Sequence, residues 1–270
     1  MTLTTSTPLA PIKDYTLKLT ENISITDSVC VLVFETPDDF PAPEPGQFVN
    51  IKVGPGFTPL LRRPFSIHNA QPNRLEVLLK VVGSGSEMLY QAKPGSVFQI
   101  IGPLGNAFPI QGEFSQALLL SGGIGIGPMA LLEKSLKENG KKVYNFIGGR
   151  SKSDIIKRGL SNVNVSTDDG SEGFRGNVLM LLKDKLVEFE DKSQLRLFAC
   201  GPTPMLKALK AFSDEKNLSC FLSLETFMGC GIGICYGCSV RTKKEDGHIH
   251  NDLLCQCGPV INAKNVAFES

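Results

Sequence analysis

The sequence predicts a multi-domain protein: an antiparallel β-barrel, then a doubly wound α/β domain, then a small cysteine-rich C-terminal domain. Three observations predict it. Short β-rich runs broken by Pro/Gly turns fill the first hundred or so residues. From about Ser115 the pattern changes to strand, glycine turn and helix, repeated. The last fifty residues concentrate Cys230, Cys235, Cys238, Cys255 and Cys257 among glycines. The expected domains are 1–112, 113–218 and 219–270, within the range of one to three that about 100–200 residues per domain allows.

Residues 1 to about 12 read as a loose tail. From Tyr15 to about Pro109 the runs SVCVLVFET, QFVNIKV, RLEVLLKVV and SVFQIIG alternate with the turns PAPEPG, VGPG, KPG and GPLG. Many short strands at this spacing indicate a small closed antiparallel barrel. QALLLSGGIGIGPMALLEKSLKENG then reads as strand, turn and amphipathic helix, and KVYNFIGG as the next strand. SKSDIIKRGL is a helix-like connector, VNVSTDDG a third strand and VLMLLKDKLVEF a helix. QLRLFACGPTPMLKALKAFSDE closes the unit near Leu218 as strand, turn and helix. Strands alternating with helices indicate a parallel sheet covered on both faces. The cysteine-rich remainder is too short for a large core, so bound metal is expected to stabilise it.

The cysteines fix the chemistry of that end. Cys230-Gly-Ile-Gly-Ile-Cys235-Tyr-Gly-Cys238 has the C-x4-C-x2-C spacing with which thiolates hold a plant-type [2Fe–2S] cluster. Gly229, Gly231, Gly233 and Gly237 let the loop turn its N–H groups toward sulfur. Cys255 and Cys257 both stand where a fourth ligand is needed. Zinc is the alternative, but zinc sites usually repeat C-x2-C, and only Cys235 and Cys238 form such a pair. A disulfide framework belongs to small secreted chains, and MTLTTSTPLAPIKDY lacks the apolar core of a signal peptide. Cys30 and Cys220 read as buried small hydrophobes.

Net charge is +1, from 28 basic and 27 acidic residues, which gives no footprint for nucleic acid or an anionic membrane. Ala117–Leu132 is the longest apolar stretch, but four glycines, a serine and a proline break it, so no transmembrane helix is expected. A cytoplasmic location follows as an expectation from the reduced cysteines.

Three further constellations suggest cofactor binding. In LLRRPFSIHNA, Arg63 ahead of Pro64, Phe65 and Ser66 offers a guanidinium to a pyrophosphate and a hydroxyl to a polar ring edge. Gly83, Gly85 and Ser86 precede a short helix whose first N–H groups suit phosphate. In LLLSGGIGIGPMALL, Gly122, Gly123 and Gly125 allow a dinucleotide to approach, although Pro128 stands where G-x-G-x-x-G has its last glycine. Cys200 and Gly201 of FACGPTPML end the last parallel strand, where they are expected to face the same crevice.

The ordered set R-P-x-S, G-G-x-G-x-x-P and C-G-P-x-P-M resembles the ferredoxin–NADP reductase superfamily. RPFSIH, TDDGS at 167–171, CGIGICYGC and C-x-x-G-P-V at 255–260 narrow the likeness to the electron-transfer subunits of type B dihydroorotate dehydrogenase, over about residues 13–265. The resemblance implies FAD on the barrel, a nicotinamide on the α/β domain and a [2Fe–2S] cluster at the end. It implies FAD contacts from Arg63, Pro64, Phe65, Ser66, Leu78, Leu79, Lys80, Gly85 and Ser86. It implies cluster ligands Cys230, Cys235, Cys238 and Cys255, because the last ligand precedes x-x-Gly-Pro. Ser86 replaces a threonine, Cys257 an acidic residue, and Phe65 the tyrosine usual in the wider superfamily.

The implied activity is electron transfer. A partner subunit carrying FMN oxidises dihydroorotate, and electrons pass through the cluster and FAD to NAD+ in de novo pyrimidine synthesis, with two copies of each subunit. The chain itself has no recognisable dihydroorotate site. An acidic residue closing the second parallel strand would favour NAD, but Arg150 stands near that place, with Asp154 four residues on, so NADP stays open on the residues alone. Two other functions fit parts of the pattern: a subunit of a ferredoxin-linked NAD(P)H oxidoreductase or sulfhydrogenase, and an iron–sulfur redox sensor without flavin.

Overall fold

A computed structural model of the chain describes residues 12–54 and 59–268. The expected tail at 1–12 and part of the VGPG turn lie outside the described residues but for Ile12. Six strands close the barrel: β1 (Asp14–Thr26), β2 (Val29–Glu35), β3 (Phe48–Ile51), β4 (Arg63–Gln71), β5 (Arg74–Lys80) and β6 (Val97–Leu104), in the order β1-β2-β5-β4-β3-β6. A short helix, α1 (Ser84–Tyr90), joins β5 to β6. Alternation divides the side chains between two sides. Leu17, Leu19, Leu32, Phe34, Ile51, Val77 and Leu79 fill one buried cluster, while Val31, Val33 and Leu78 pack into the cluster shared with the next domain.

The second sheet has seven strands: β7 (Gln116–Gly122), β8 (Lys142–Gly149), β9 (Val163–Thr167), β10 (Phe174–Arg175), β11 (Leu195–Cys200), β12 (Ser219–Ser223) and, from the far end of the chain, β15 (Val260–Asn262). Their order is β10-β9-β8-β7-β11-β12-β15, parallel except for β15. The chain steps outward from β7 to β10, then returns to place β11 on the other side of β7. The switch point therefore lies between β7 and β11, where ligands of such sheets bind. Helices α2 (Met129–Glu138), α3 (Val178–Lys185) and α4 (Thr203–Glu215) cover the sheet. Strand β7 serves both faces: Ala117 and Leu119 pack with α2, Leu118 and Leu120 with α3 and α4.

The C-terminal part adds a hairpin, β13 (Ser239–Lys243) with β14 (Ile249–Leu253), and one short helix, α5 (Leu254–Cys257). Its Cys238, Leu254, Cys255 and Val266 join the same core as α3 and α4.

Two expectations change. The sheet does not end at Leu218: β12 extends it in parallel and β15 caps it, because these strands bury Cys220, Leu222 and Ile261 in its core. The helix-like connector 151–160 is instead a single 3-10 turn, Lys152–Asp154, followed by irregular chain. Ile155 and Ile156 are adjacent and β-branched, and both turn into the core rather than forming a helical stripe.

Candidate functional site

A cleft of about 270 Å³ lies where the barrel, the α/β sheet and the cysteine-rich segment meet. Pro64, Phe65 and Ser66 of β4 line it, with Leu78 and Lys80 of β5. Ile124 and Gly127 face them from the turn after β7, and Met228 and Pro259 bring in the chain on either side of the cysteines. A second hollow of about 510 Å³ covers the carboxyl ends of the parallel strands and is lined by Gly122, Gly123, Gly125, Gly148, Gly149, Gly201 and Pro202. Lys80, Ile124 and Glu225 border both, so the two hollows adjoin. A ring bound on the barrel strands and one bound at the switch point would meet there.

The loops close this junction because they lack side chains. A Cβ on Gly122 would stand 2.9 Å from Met205 Sδ and Pro202 Cδ, and one on Gly125 would collide with the Cys200 carbonyl. Gly122, Gly125 and Gly201 thus let the two strand-end loops pack on each other. Gly123 alone opens outward: its φ is +53° and nothing lies within 4 Å of a Cβ there. It is the glycine placed to admit a ligand backbone.

Arg63, expected at a pyrophosphate, lines neither hollow and lies beside the start of α1. A Cβ on Gly85 would lie 3.0 Å from Arg63 Nε, so the guanidinium rests against the first turn of α1 because residue 85 is glycine. Arg63 donates to the Leu61 carbonyl at 2.7 Å and to that of Arg62 at 3.3 Å, and has no carboxylate partner among the described residues. The first-turn N–H groups of α1 have no acceptors within the helix. A guanidinium beside such amides suits an anion.

Other expected residues take different roles. Gly85 and Ser86 lie inside α1, and Gly83 caps it. The Ser86 hydroxyl accepts from Val82 N at 2.8 Å and Gly83 N at 3.1 Å and donates to Gly83 O, so it builds the turn rather than facing out. The Leu79 side chain points into the barrel, because only alternate residues of β5 face the cleft. Cys200 is fully buried and does not line the crevice. Burial pushes its thiol up to about 12, with the nearby Glu225 adding to the rise. Arg150 and Asp154 do reach the crevice, 3.5 Å apart, and Asp154 also lies 3.7 Å from Lys80.

The cysteines gather in two pairs. Cys230 N points at Cys235 Sγ and Cys235 N at Cys230 Sγ, each at 3.4 Å. Ile232 N and Ile234 N also point at Cys230 Sγ, at 3.4 and 3.3 Å. Burial pushes the Cys230 thiol up, but the N–H groups of Ile232, Cys235 and Ile234 outweigh it and bring it down to about 6. In the second pair Cys238 Sγ lies 3.2 Å from Cys255 Sγ. Burial and Cys238 together push the Cys255 thiol up to about 12. Two sulfur pairs suit a two-iron centre with two thiolates on each iron. Gly231 and Gly233 have φ of +73° and +86°, and a Cβ on Gly233 would run into Gln256. Cys257 is half-buried and packs on the core.

Chain regions 16–108 match the model of the oxidoreductase FAD-binding domain, and 225–267 match the iron–sulfur cluster binding domain of dihydroorotate dehydrogenase B. The electron transfer subunit of dihydroorotate dehydrogenase B (NAD(+)) from Bacillus velezensis is 37% identical over 260 residues, 93% of this chain and 98% of that one. This chain belongs to that family. The corresponding subunit of Caldanaerobacter subterraneus is 36% identical over 229 residues, 84% of this chain and 88% of its own. Among solved structures, a chain of an NADH-dependent reduced ferredoxin–NADP oxidoreductase superposes with a TM-score of 0.81 at 27% identity, covering 93% of this chain and 89% of that one. Membership makes the chain an oxidoreductase subunit with FAD, iron–sulfur and NAD-linked parts, and implies a separate catalytic partner.

Two residues near the junction are given no role by the sequence. Glu225 borders both hollows; solvent reaches it there, yet surrounding protein desolvates the carboxyl and pushes it above its ordinary range. His68 is buried and its Nδ1 lies 2.9 Å from the Gly127 carbonyl, which makes Nδ1 the protonated nitrogen. A lone acidic residue gives no spacing to recognise, and His68, although it closes the RPFSIH run, carries no sign there that its ring turns to Gly127.

Proposed function

We propose that this chain is the electron-transfer subunit of an NAD-dependent dihydroorotate dehydrogenase, serving pyrimidine synthesis. A flavin exchanges two electrons as hydride with a nicotinamide and single electrons with an iron–sulfur cluster. The chain's residues divide the work of holding these groups. Arg63 and the start of α1 take the FAD pyrophosphate, and Pro64, Phe65, Ser66, Leu78 and Lys80 form the wall for its ring. Gly123 and the strand ends admit NAD+. Cys230, Cys235, Cys238 and Cys255 hold the [2Fe–2S] cluster. Glu225 and Lys80 supply charge where the two hollows join. We further propose that two copies assemble with a dimer of an FMN-bearing catalytic subunit in the cytoplasm.

The observation that carries this reading is the shared cleft. Met228 and Pro259, which flank the cysteine segment, line the same hollow as Pro64, Phe65 and Ser66, and that hollow shares Lys80, Ile124 and Glu225 with the strand-end crevice. The purified chain is therefore expected to contain FAD, iron and acid-labile sulfide. Cys235→Ser should remove the visible iron–sulfur absorption, since a hydroxyl is a poor substitute for thiolate. Cys257→Ser should keep it. Loss of the cluster in the Cys257 variant with retention in Cys255→Ser would reverse the fourth-ligand assignment, and zinc without sulfide would reject the cluster.

A further inference from the structure

The cysteine segment is fastened to the barrel by two asparagines, one near each end. Asn50 sits on β3, opposite Pro64 of the β4 cleft strand. It is fully buried, and its Nδ2 donates to the carbonyl of Cys230 at 3.0 Å. Facing a carbonyl, the amide must present its NH₂ group. In doing so it leaves Oδ1 buried without a partner among the described residues. A buried orphan acceptor is destabilising, and an apolar side chain of the same shape would avoid it. Gly231 permits this approach: a Cβ there would lie 2.7 Å from Asn50 Nδ2.

Asn106, just past β6, does the corresponding work at the other end. Its backbone N–H donates to Gly258 O at 2.7 Å. Its Nδ2 donates to Cys257 O at 2.9 Å and Val260 O at 2.7 Å, and its Oδ1 accepts from Val260 N at 2.9 Å. Gly105 allows the two chains to touch, since a Cβ on it would stand 2.5 Å from the Gly258 carbonyl.

We propose that Asn50 and Asn106 are positioning residues that lock the cysteine loop to the flavin barrel, so that the barrel sets the distance and orientation between FAD and cluster. Asn50 is the decisive one, because it grips Cys230 from a strand paired with the cleft wall. The inference rests on the cluster and FAD assignments above.

The test uses the full chain with Asn50→Leu, which keeps the branched shape but removes the donor, and Asn50→Asp, which keeps both shape and size. Flavin and iron content are measured first, then hydrogen exchange of the amides of 229–235, then stopped-flow reduction by NADH. Each NADH delivers two electrons as hydride to the flavin, and these leave for the cluster one at a time. Loss of one hydrogen bond is expected to speed exchange in 229–235 by about fivefold to tenfold. Bleaching of the flavin band should stay within about twofold of wild type, while bleaching of the cluster band slows and the reduced cluster's paramagnetic resonance g values shift. If a variant that retains FAD exchanges at the wild-type rate in 229–235 and reduces its cluster normally, the clamp is refuted. If both Asn50 variants fail to fold, Asn106→Ala is expected to speed exchange at 256–260, and unchanged exchange there refutes the clamp. Wild-type protein with FAD but no iron would refute the cluster assignment, and the exchange comparison would still decide whether Asn50 grips the loop.

Discussion

At the scale of single residues, Arg63 is the side chain we propose for the FAD pyrophosphate. It is bonded to backbone carbonyls of its own segment, has no carboxylate partner among the described residues, and rests close against the start of α1 at Gly85. A charge-assisted contact of this kind contributes about 1.5–3 kcal/mol. Arg63→Ala is therefore expected to weaken FAD binding by roughly ten- to a hundredfold. The protein should purify with substoichiometric FAD and an assembled cluster, as flavin and iron analysis would show. Full FAD occupancy with unchanged affinity would remove Arg63 from the site. Candidates of this type can be picked out in a sequence because their chemistry is local: a cation before R-P-x-S, or cysteines at fixed spacing. The inward turn of the Leu79 and Cys200 side chains could not be read, because a motif places a residue on a strand without saying which face it takes.

At the scale of elements, β4 carries the connection between the two larger domains. Its register against β5 shifts between Ile67 and Asn69, and such a bulge re-aims the intervening residue. That residue is His68, which reaches Gly127 beside the cleft. Burial lowers the His68 pKa from its ordinary value, with the Gly127 hydrogen bond opposing the shift. The fold therefore holds the imidazole neutral, and the unfolded chain binds more protons just below pH 6.5. This contribution to stability is complete above that pH and is lost as pH falls below it toward the folded pKa. Urea unfolding between pH 5 and 7.5 is expected to show a steeper loss of stability on acidification in wild type than in His68→Leu. The difference is bounded by one proton, about 1.4 kcal/mol per pH unit. Equal slopes would mean that His68 titrates alike in the folded and unfolded chain. Element order was largely readable, since period-2 runs and strand–turn–helix repeats are short-range signals. The membership of β12 and β15 in the sheet was not. Strand β15 pairs with β12 across the whole cysteine segment, and nothing local in Val260–Asn262 declares that partner.

At the scale of the whole molecule, three folded parts meet around two adjoining hollows, with Met228 and Pro259 of the cysteine segment beside the barrel wall. The proposed assignments set an order: crevice, barrel wall, cysteines, then the partner subunit. It also separates two activities that a single assay would merge. Hydride exchange needs the crevice and the barrel wall; delivery from a partner subunit needs the cysteines as well. The most direct test is reconstitution with an FMN-bearing catalytic subunit, comparing wild type with the cluster-free Cys235→Ser variant. The isolated wild-type chain is expected to reduce an artificial acceptor with NADH and to leave dihydroorotate untouched. Adding the catalytic subunit should create NAD+-dependent dihydroorotate oxidation, which Cys235→Ser should abolish while keeping most NADH–acceptor activity. Dihydroorotate oxidation by the isolated chain, or coupled turnover undiminished without the cluster, would contradict this order.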